Sequence, residues 1–536
     1  MPTITINGQP CEFDGKKMII QVADENGIEL PRYCYHPGLS VVASCRICLA
    51  EVKAPNPRND NKPEFIPKLM PTCQTPAGDG MEVFTTTPKA TANQKQVMED
   101  LLINHPLDCP VCDQAGECKL QDYSYQYGRA ESRFEEDKIK QPVKDIGPNV
   151  KLYSDRCIMC TRCVRFTREI TETSELAVFG RGAHEQIDVF PGVPLDNELS
   201  GNVVDLCPVG ALLDKDFLFT QRVWFLSSTP SIDGITASGD NIWIEHSKGK
   251  IYRIKPRENQ DINKWWITDE VRYGWKFVAS EDRLAQTQRQ QLNELIDCTW
   301  DRACEEARKG IKAAGGKLVV MVSPMLATEE AYLLGKAALA MSDDVVLAVG
   351  PVPVDGQDKN FANGFTVSAE KAPNARGVRQ ALEKLAQTVL SYEELSELLA
   401  DKKSGVSSFV LTGNYPSDWV TKDFAKLIGR NFMVLIDTMP SDLVKKANVL
   451  MPSVTWTEKE GSFVNHKGIA QAFDAAIPAV EGARSEGQIA LDLLAACGEQ
   501  PMRYNAAEVR TQMGIETQVN EPKADRVESE MVFAEL

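Results

Sequence analysis

Fifteen cysteines are spread so unevenly along this chain of 536 residues that they constrain its architecture more than any other feature. Eleven fall between Cys34 and Cys207, and only three follow. Disulfide frameworks are not distributed in this way. In a large chain without a secretory leader, grouped thiols two residues apart point to metal held in a reducing compartment. The expected location is the cytoplasm or the inner face of a membrane. The start, MPTITINGQPCEF, reads as a hairpin rather than a signal or transit segment. No apolar run approaches the roughly 18 residues that span a bilayer.

The length exceeds what one hydrophobic core serves, so roughly three to five domains are expected. Lys and Arg total 59 against 76 Asp and Glu, a net charge of −17. That balance argues against a nucleic-acid or anionic-membrane surface and for a soluble or protein-docked particle.

Patterning suggests five segments. Residues 1–85 alternate around Asn7-Gly8, continue into a helix-like MIIQVADENG, and then carry Cys34, Cys45 and Cys48 on a long loop, as in a small plant-ferredoxin-like β-grasp domain. KAPNPRNDNKPEFIPK, rich in Pro and Asn, reads as a surface insertion before Cys73. Residues 86–140 open with a helix over about 90–104 whose face would hold Val97, Met98, Leu101 and Leu102. It would end as His105-Pro106 arrives. Residues 141–220 hold CIMCTRCVRFTRE and DLCPVGAL. Residues 221–505 alternate short apolar strands (318–323, 345–350, 408–413, 432–437, 447–452) with helices, one opened by a cap at Thr328-Glu329-Glu330. This predicts an α/β domain with a largely parallel sheet, making the whole a multidomain α+β and α/β protein. Residues 506–536 read as a polar acidic tail.

Three cysteine groups carry the chemistry. Cys34, Cys45, Cys48 and Cys73 offer the four thiolates that a [2Fe–2S] cluster needs, although the first gap is longer than in plant-type ferredoxins. A structural zinc site is the competing reading, but its usual pair of C-x2-C motifs is incomplete here. Cys157, Cys160 and Cys163 form one C-x2-C-x2-C triplet, and Cys207-Pro208 is the single downstream Cys-Pro, so one [4Fe–4S] cluster is the economical closure. Arg156, Arg162, Arg165 and Arg168 surround the triplet, either offsetting cluster charge or forming a solvated basic helix face. Between these groups, Cys109, Cys112 and Cys118 leave a four-iron cube one ligand short. Cys11 lies in a different domain, and the nearest soft donor is His105. Imidazole replaces thiolate on iron in Rieske centres, yet a lone histidine before proline is more often an ordinary helix-end residue.

With these residues together, H-x3-C-x2-C-x5-C flanked by two different cluster motifs resembles the large iron–sulfur subunit of respiratory complex I, the family of the NADH-quinone oxidoreductase G subunit and its 75 kDa mitochondrial counterpart. ELSGNVVDLCPVGAL (198–212) and PRYCYHPGL (31–39) strengthen the resemblance. It implies that His105 ligates iron, completing a second [4Fe–4S] centre. It further implies a subunit of a proton-translocating NADH:quinone oxidoreductase on the cytoplasmic side of a bacterial inner membrane, or on the matrix side in an organelle. Partners would be a flavin subunit that oxidises NADH, other iron–sulfur subunits, and a membrane arm that this chain does not itself span. SPMLATEEAYLLGKAAL, APNARGVRQAL and ANVLMPSVTWTEKEGSFVNHKGIAQ (447–471) are similar to the molybdopterin-oxidoreductase fold. There, Glu458, Gly461 and Asn465 match a region near the pterin nucleotide, and a mostly structural role is expected here. Residues 228–254 lack the cysteines that some relatives carry, and no molybdenum ligand is recognisable, so no molybdenum is expected. Cys298, Cys304 and Cys497 read as packing or surface thiols.

The sequence has no G-x-G-x-x-G after a strand, no P-loop and no nucleophile–base pair. The expected chemistry is electron transfer rather than bond making, with potentials tuned by ligand type and hydrogen bonding. Competing readings are a molybdenum formate dehydrogenase, the iron–sulfur subunit of an NAD-linked hydrogenase, and a non-redox protein whose metals serve folding.

Overall fold

The computed structural model describes residues 1–518, Ala183 by its backbone alone. It divides into a unit over Met1–Leu226 and a second that starts at Ser227.

In the first unit, Thr3–Ile6 and Gln9–Glu12 pair as an antiparallel hairpin. Asn7 and Gly8 both have positive φ, 50° and 88°, the type I′ pattern that matches strand twist. Glu82–Phe84 runs parallel to Thr3–Ile6 and antiparallel to Leu49–Asn56. The helix Ile19–Glu25 packs Ile19, Ile20, Val22 and Ala23 against Ile4, Ile6, Val52 and Val83. This is the expected β-grasp. The Pro/Asn-rich insertion is exposed but is no structureless loop. Lys62–Phe65 pairs with Lys53–Asn56, and the Glu64 carboxylate accepts bonds from Asn56 and Asn59.

The next helix runs from Pro88 to Leu102, capped by Thr87, whose hydroxyl accepts from Ala90 N. Its buried stripe is Ala90, Gln94 and Met98. Of the four residues predicted for the inner face, only Met98 is fully buried, because Tyr33 approaches there and donates its hydroxyl to Met98 Sδ at 3.1 Å. Apolar periodicity alone did not reveal that a tyrosine and a glutamine share this face. The helix Lys119–Tyr127 follows, with Tyr123 edge-on to Tyr33. A three-stranded antiparallel sheet (Val143–Asp145, Val150–Tyr153, Leu212–Asp214) then supports the helices Arg162–Glu169 and Asn202–Leu206.

The second unit opens with an antiparallel meander, Ser227–Ile232, Asn241–Ser247 and Lys250–Pro256. Its centre is an eight-stranded sheet. Six strands are parallel, in the order Val449–Pro452, Phe432–Asp437, Val406–Thr412, Lys317–Val322, Val345–Val349, Val389–Leu390. An antiparallel hairpin, Gln288–Gln291 with Glu294–Asp297, extends one edge. All five predicted strands are present. Their apolar runs reflect burial on both faces: Leu318, Val320 and Val322 enter one core and Val319 and Met321 the other.

Two local expectations need correction. Helix Thr328–Met341 is capped at Ala327, one residue earlier than predicted, because the Glu330 carboxylate reaches back to accept from Ala327 N at 3.0 Å. The tail expected from residue 506 begins with a helix, Ala506–Met513, whose Val509 and Met513 enter the core. The remainder of that tail, from 519, lies outside the described residues.

Candidate metal centres

Cys34, Cys45, Cys48 and Cys73 come together beneath the first sheet, three of them buried and Cys45 half-buried. Ala43 and Arg46 bracket Cys45 in left-handed conformations that turn the loop sharply. Cys48 Sγ lies 3.5 Å from Cys73 Sγ. Cys34 is paired with Cys45, and that hydrogen bond holds the Cys34 thiol down at about 5. The same relation to Cys73 brings Cys48 to about 6. The four thiols thus fall into two close pairs. Cys11 is far from this role: it is buried in the hairpin, its thiol directed at Gln9 O.

Cys157, Cys160, Cys163 and Cys207 line a pocket whose remaining wall is largely apolar, including Leu152, Ile187, Val209 and Leu212. Met159 and Thr161 have φ of 52° and 60°. Alternate left-handed residues curl the loop so that three thiols face inward. Cys207 arrives at the end of the helix Asn202–Leu206, its N–H donating to Val203 O. Burial pushes the Cys157 thiol up to about 12 and Cys207 to about 11. Only a strong Lewis acid would keep such thiols deprotonated.

His105, Cys109, Cys112 and Cys118 line a second pocket. Cys109 is exposed, whereas Cys112 and Cys118 are buried. His105 Nδ1 is buried and has no hydrogen-bond partner. Burial, followed by the charges of Arg156 and Lys138, pushes this imidazole down to about 4, so it is neutral with an unspent ring nitrogen. A buried polar atom without a partner is costly unless something fills the site. A neutral imidazole with three thiols is a donor set suited to iron.

Among the described residues, no three Cys, His, Asp or Glu side chains converge on a single ion. The Cys157 and His105 groups instead line pockets.

Several residues that shape these cavities have no local sequence signal. Arg156, 4 % exposed, is ion-paired with Asp108 at 2.9 Å and faces the His105 cavity. Arg222 donates to Cys112 O at 2.8 Å and also to Pro110 O. Phe219 N donates to Asp113. Lys119 N donates to Pro208 O, tying the Cys118 segment to the Cys207 loop. Gly210 presses so closely that a Cβ there would lie 2.3 Å from Cys112 Sγ. Gly210→Ala is accordingly expected to destabilise the first unit by about 1–3 kcal/mol through overpacking, read from the denaturant midpoint. Of the four arginines, only Arg168 sits on the expected solvated face; Arg156 and Arg165 are buried and Arg162 half-buried.

In the second unit the sheet has a topological switch between Lys317–Val322 and Val406–Thr412, where such folds place ligands. Several groups at that end bind one another, while the Thr438 and Ser453 hydroxyls are buried without a partner. Ser323 N donates to Thr412 Oγ1, Tyr415 Oη to Pro351 O, and Asn414 Nδ2 to Val454 O and Glu486. Glu458 is ion-paired with Arg283 at 2.9 Å and accepts from Thr455. Asn465 Oδ1 accepts from Lys467 N and Ile469 N. A Cβ on Gly461 would lie 2.4 Å from Ala327 Cβ. Glu458 and Asn465 are thus engaged within their own fold. Cys304 is buried, and Cys298 and Cys497 are half-buried.

Residues 1–88 match the family described as a 2Fe-2S iron-sulfur cluster binding domain. Residues 94–133 match the NADH-ubiquinone oxidoreductase-G iron-sulfur binding region, and 147–213 the ferredoxin-like domain of NADH-quinone oxidoreductase subunit 3. Residues 226–276 match an NADH-ubiquinone oxidoreductase NDSU1/NuoG-like 4Fe-4S domain, although that stretch contains no cysteine. Residues 345–496 match molybdopterin oxidoreductase. Similar proteins include the NADH-quinone oxidoreductase G subunit of Rickettsia bellii, 37 % identical over 63 % of this chain and 48 % of its own. The NADH-ubiquinone oxidoreductase 75 kDa subunit of Reclinomonas americana is 40 % identical over 63 % and 48 %. The mitochondrial 78 kDa subunit of Neurospora crassa is 38 % identical over 69 % and 50 %. The chain thus spans about half the length of the curated relatives it matches. A crystal structure of NAD+-reducing [NiFe]-hydrogenase in the H2-reduced state covers 41 % of this chain and 91 % of its own, at 26 % identity and a TM-score of 0.36.

Proposed function

Because this chain is a homologue of the G and 75 kDa subunits of NADH-quinone and NADH-ubiquinone oxidoreductases, we propose that it is an electron-transfer subunit of such an oxidoreductase. It would serve in the peripheral arm of a proton-pumping complex I, between an NADH-oxidising flavin subunit and the quinone. Cys34, Cys45, Cys48 and Cys73 are assigned to one [2Fe–2S] centre. His105, Cys109, Cys112 and Cys118 hold one [4Fe–4S] centre, and Cys157, Cys160, Cys163 and Cys207 another. The observation that carries this reading is the unpartnered, buried His105 Nδ1 facing a cavity with three thiols. When bound, such clusters supply one-electron transfer without proton or group transfer.

The chain's residues would tie the centres together. Arg165 joins the loops of the [2Fe–2S] and Cys157 groups, and Gly210 joins the Cys207 loop to Cys112. The Cys157 group thus has a direct link to each of the other two. Apolar walls exclude water from it, which limits the reorganisation that each charge change demands. Among the described residues, no helix is long and apolar enough to cross a membrane. Attachment through partner subunits on the cytoplasmic or matrix side fits this reading.

Metal analysis tests the proposal. Roughly ten irons per chain, with three EPR-distinct centres, are expected. Stoichiometric molybdenum with formate oxidation, or zinc in place of iron, would overturn it.

A further inference from the structure

The arginines around the Cys157–Cys163 loop differ in how their charge is met. Arg156 is paired with Asp108, and Arg168 with Glu169. Arg162 and Arg165 form no ion pair among the described residues; their guanidinium groups meet only carbonyl oxygens. Arg162 donates to Leu206 O at 3.3 Å and Tyr35 O at 2.5 Å, while its buried Nε has no partner. Arg165, 3 % exposed, donates to Thr161 O and Ser40 O. Its Nη2 alone reaches both Cys34 O, at 2.5 Å, and Cys160 O, at 3.3 Å. Glu169, one turn further along the helix, has its carboxylate engaged by Ser40 and Arg168 and feels the charge of Arg165 without forming an ion pair with it.

A buried charge without a counterion costs several kcal/mol, so the buried Arg165, with the half-buried Arg162 beside it, points to an anionic neighbour. Resting on the ligand assignment above, we propose that Arg165, supported by Arg162, is a shared positioning residue and counter-charge for the [2Fe–2S] and thiolate-only [4Fe–4S] centres. One nitrogen touches the backbone of a ligand from each group, so it sets their relative placement. Its charge is available to both. The His105 centre, with imidazole in place of one thiolate, is one unit less negative, and its neighbouring arginine is already neutralised by Asp108. Uncompensated positive charge therefore lies where more anionic charge is to be held.

The test is a potentiometric EPR titration of the full chain carrying its clusters, for wild type, Arg165→Met, Arg165→Lys and the exposed control Arg168→Met. Arg165→Met is expected to make both the [2Fe–2S] and the thiolate-only [4Fe–4S] centre about tenfold harder to reduce, about 59 mV for one electron. The His105 centre and the Arg168→Met variant should stay at wild-type values. Arg165→Lys, which keeps the charge and loses the fork, should shift the same two centres in the same direction by less. If the methionine variant does not retain clusters, the lysine variant decides. A shift in one centre only, in all three alike, or in none overturns the proposal. A wild-type chain without three iron signals instead overturns the ligand assignment.

Discussion

His105→Ala is expected to abolish or alter one of the two [4Fe–4S] EPR signals while the other and the [2Fe–2S] signal persist. The substitution removes the imidazole from a wall that also presents three thiols. His105→Cys is the informative companion. A thiolate would keep four ligands but add negative charge, so the signal should return with a lower potential, since thiolate-for-imidazole exchange moves potential in that direction. Three unchanged signals in the alanine variant would show that His105 is a bystander.

The largest stability effect is expected at Lys459→Met. The Lys459 ammonium lies 2.8 Å from Glu330 and 2.5 Å from Glu486, with all three side chains at most 2 % exposed. Removing it leaves buried carboxylates without a counterion, a loss of roughly 3–5 kcal/mol read from chemical denaturation. The exposed pair Lys426–Asp423 supplies the contrast: Lys426→Met should change stability by at most about 1 kcal/mol. One ammonium cannot fully offset two carboxylates. Burial pushes Glu330 up to about 8, against the opposing pull of Lys459, and likewise Asp233 to about 7 and Asp437 to about 6. These groups keep their protons in the folded state at pH values where the unfolded chain has lost them. Their contribution is fully present below the ordinary carboxylate range and is lost as pH rises through the folded values. The thermal midpoint of the second unit should therefore fall between about pH 5 and about pH 8. A rising midpoint across that interval would contradict the account.

How much was legible depended on whether a signal was local. The strand runs at 318–323 and 432–437 were readable because both faces are buried, so nearly every residue is apolar. The hairpin around Asn7-Gly8 was readable because turn chemistry is a two-residue matter. The grouping of cysteines was legible from spacing; spacing alone left His105 as readily an ordinary helix-end residue, and its reading as a donor came from the family resemblance. What escaped was set by distant partners. Gln94 is buried on a helix face that apolar periodicity assigns to Val97 and Leu101. Arg156 and Arg165 look like a solvated basic run until Asp108 and the Cys34 loop are brought to them by the fold. Gly210, one of 35 glycines, is singled out only by the sulfur it abuts.

The contact of the Cys207–Gly210 turn with Cys112 and Lys119 has a bearing on modularity. Ferredoxin-like segments are often treated as cassettes that can be cut out and grafted. Here the Cys157 group is closed by a residue far along the chain, and the turn that closes it also shapes the wall of the His105 group. A fragment ending between Cys163 and Cys207 would lack the fourth thiol of the first pocket and part of the wall of the second. Inheritance, recombination and engineering should therefore treat residues from about His105 to Phe225 as one indivisible block.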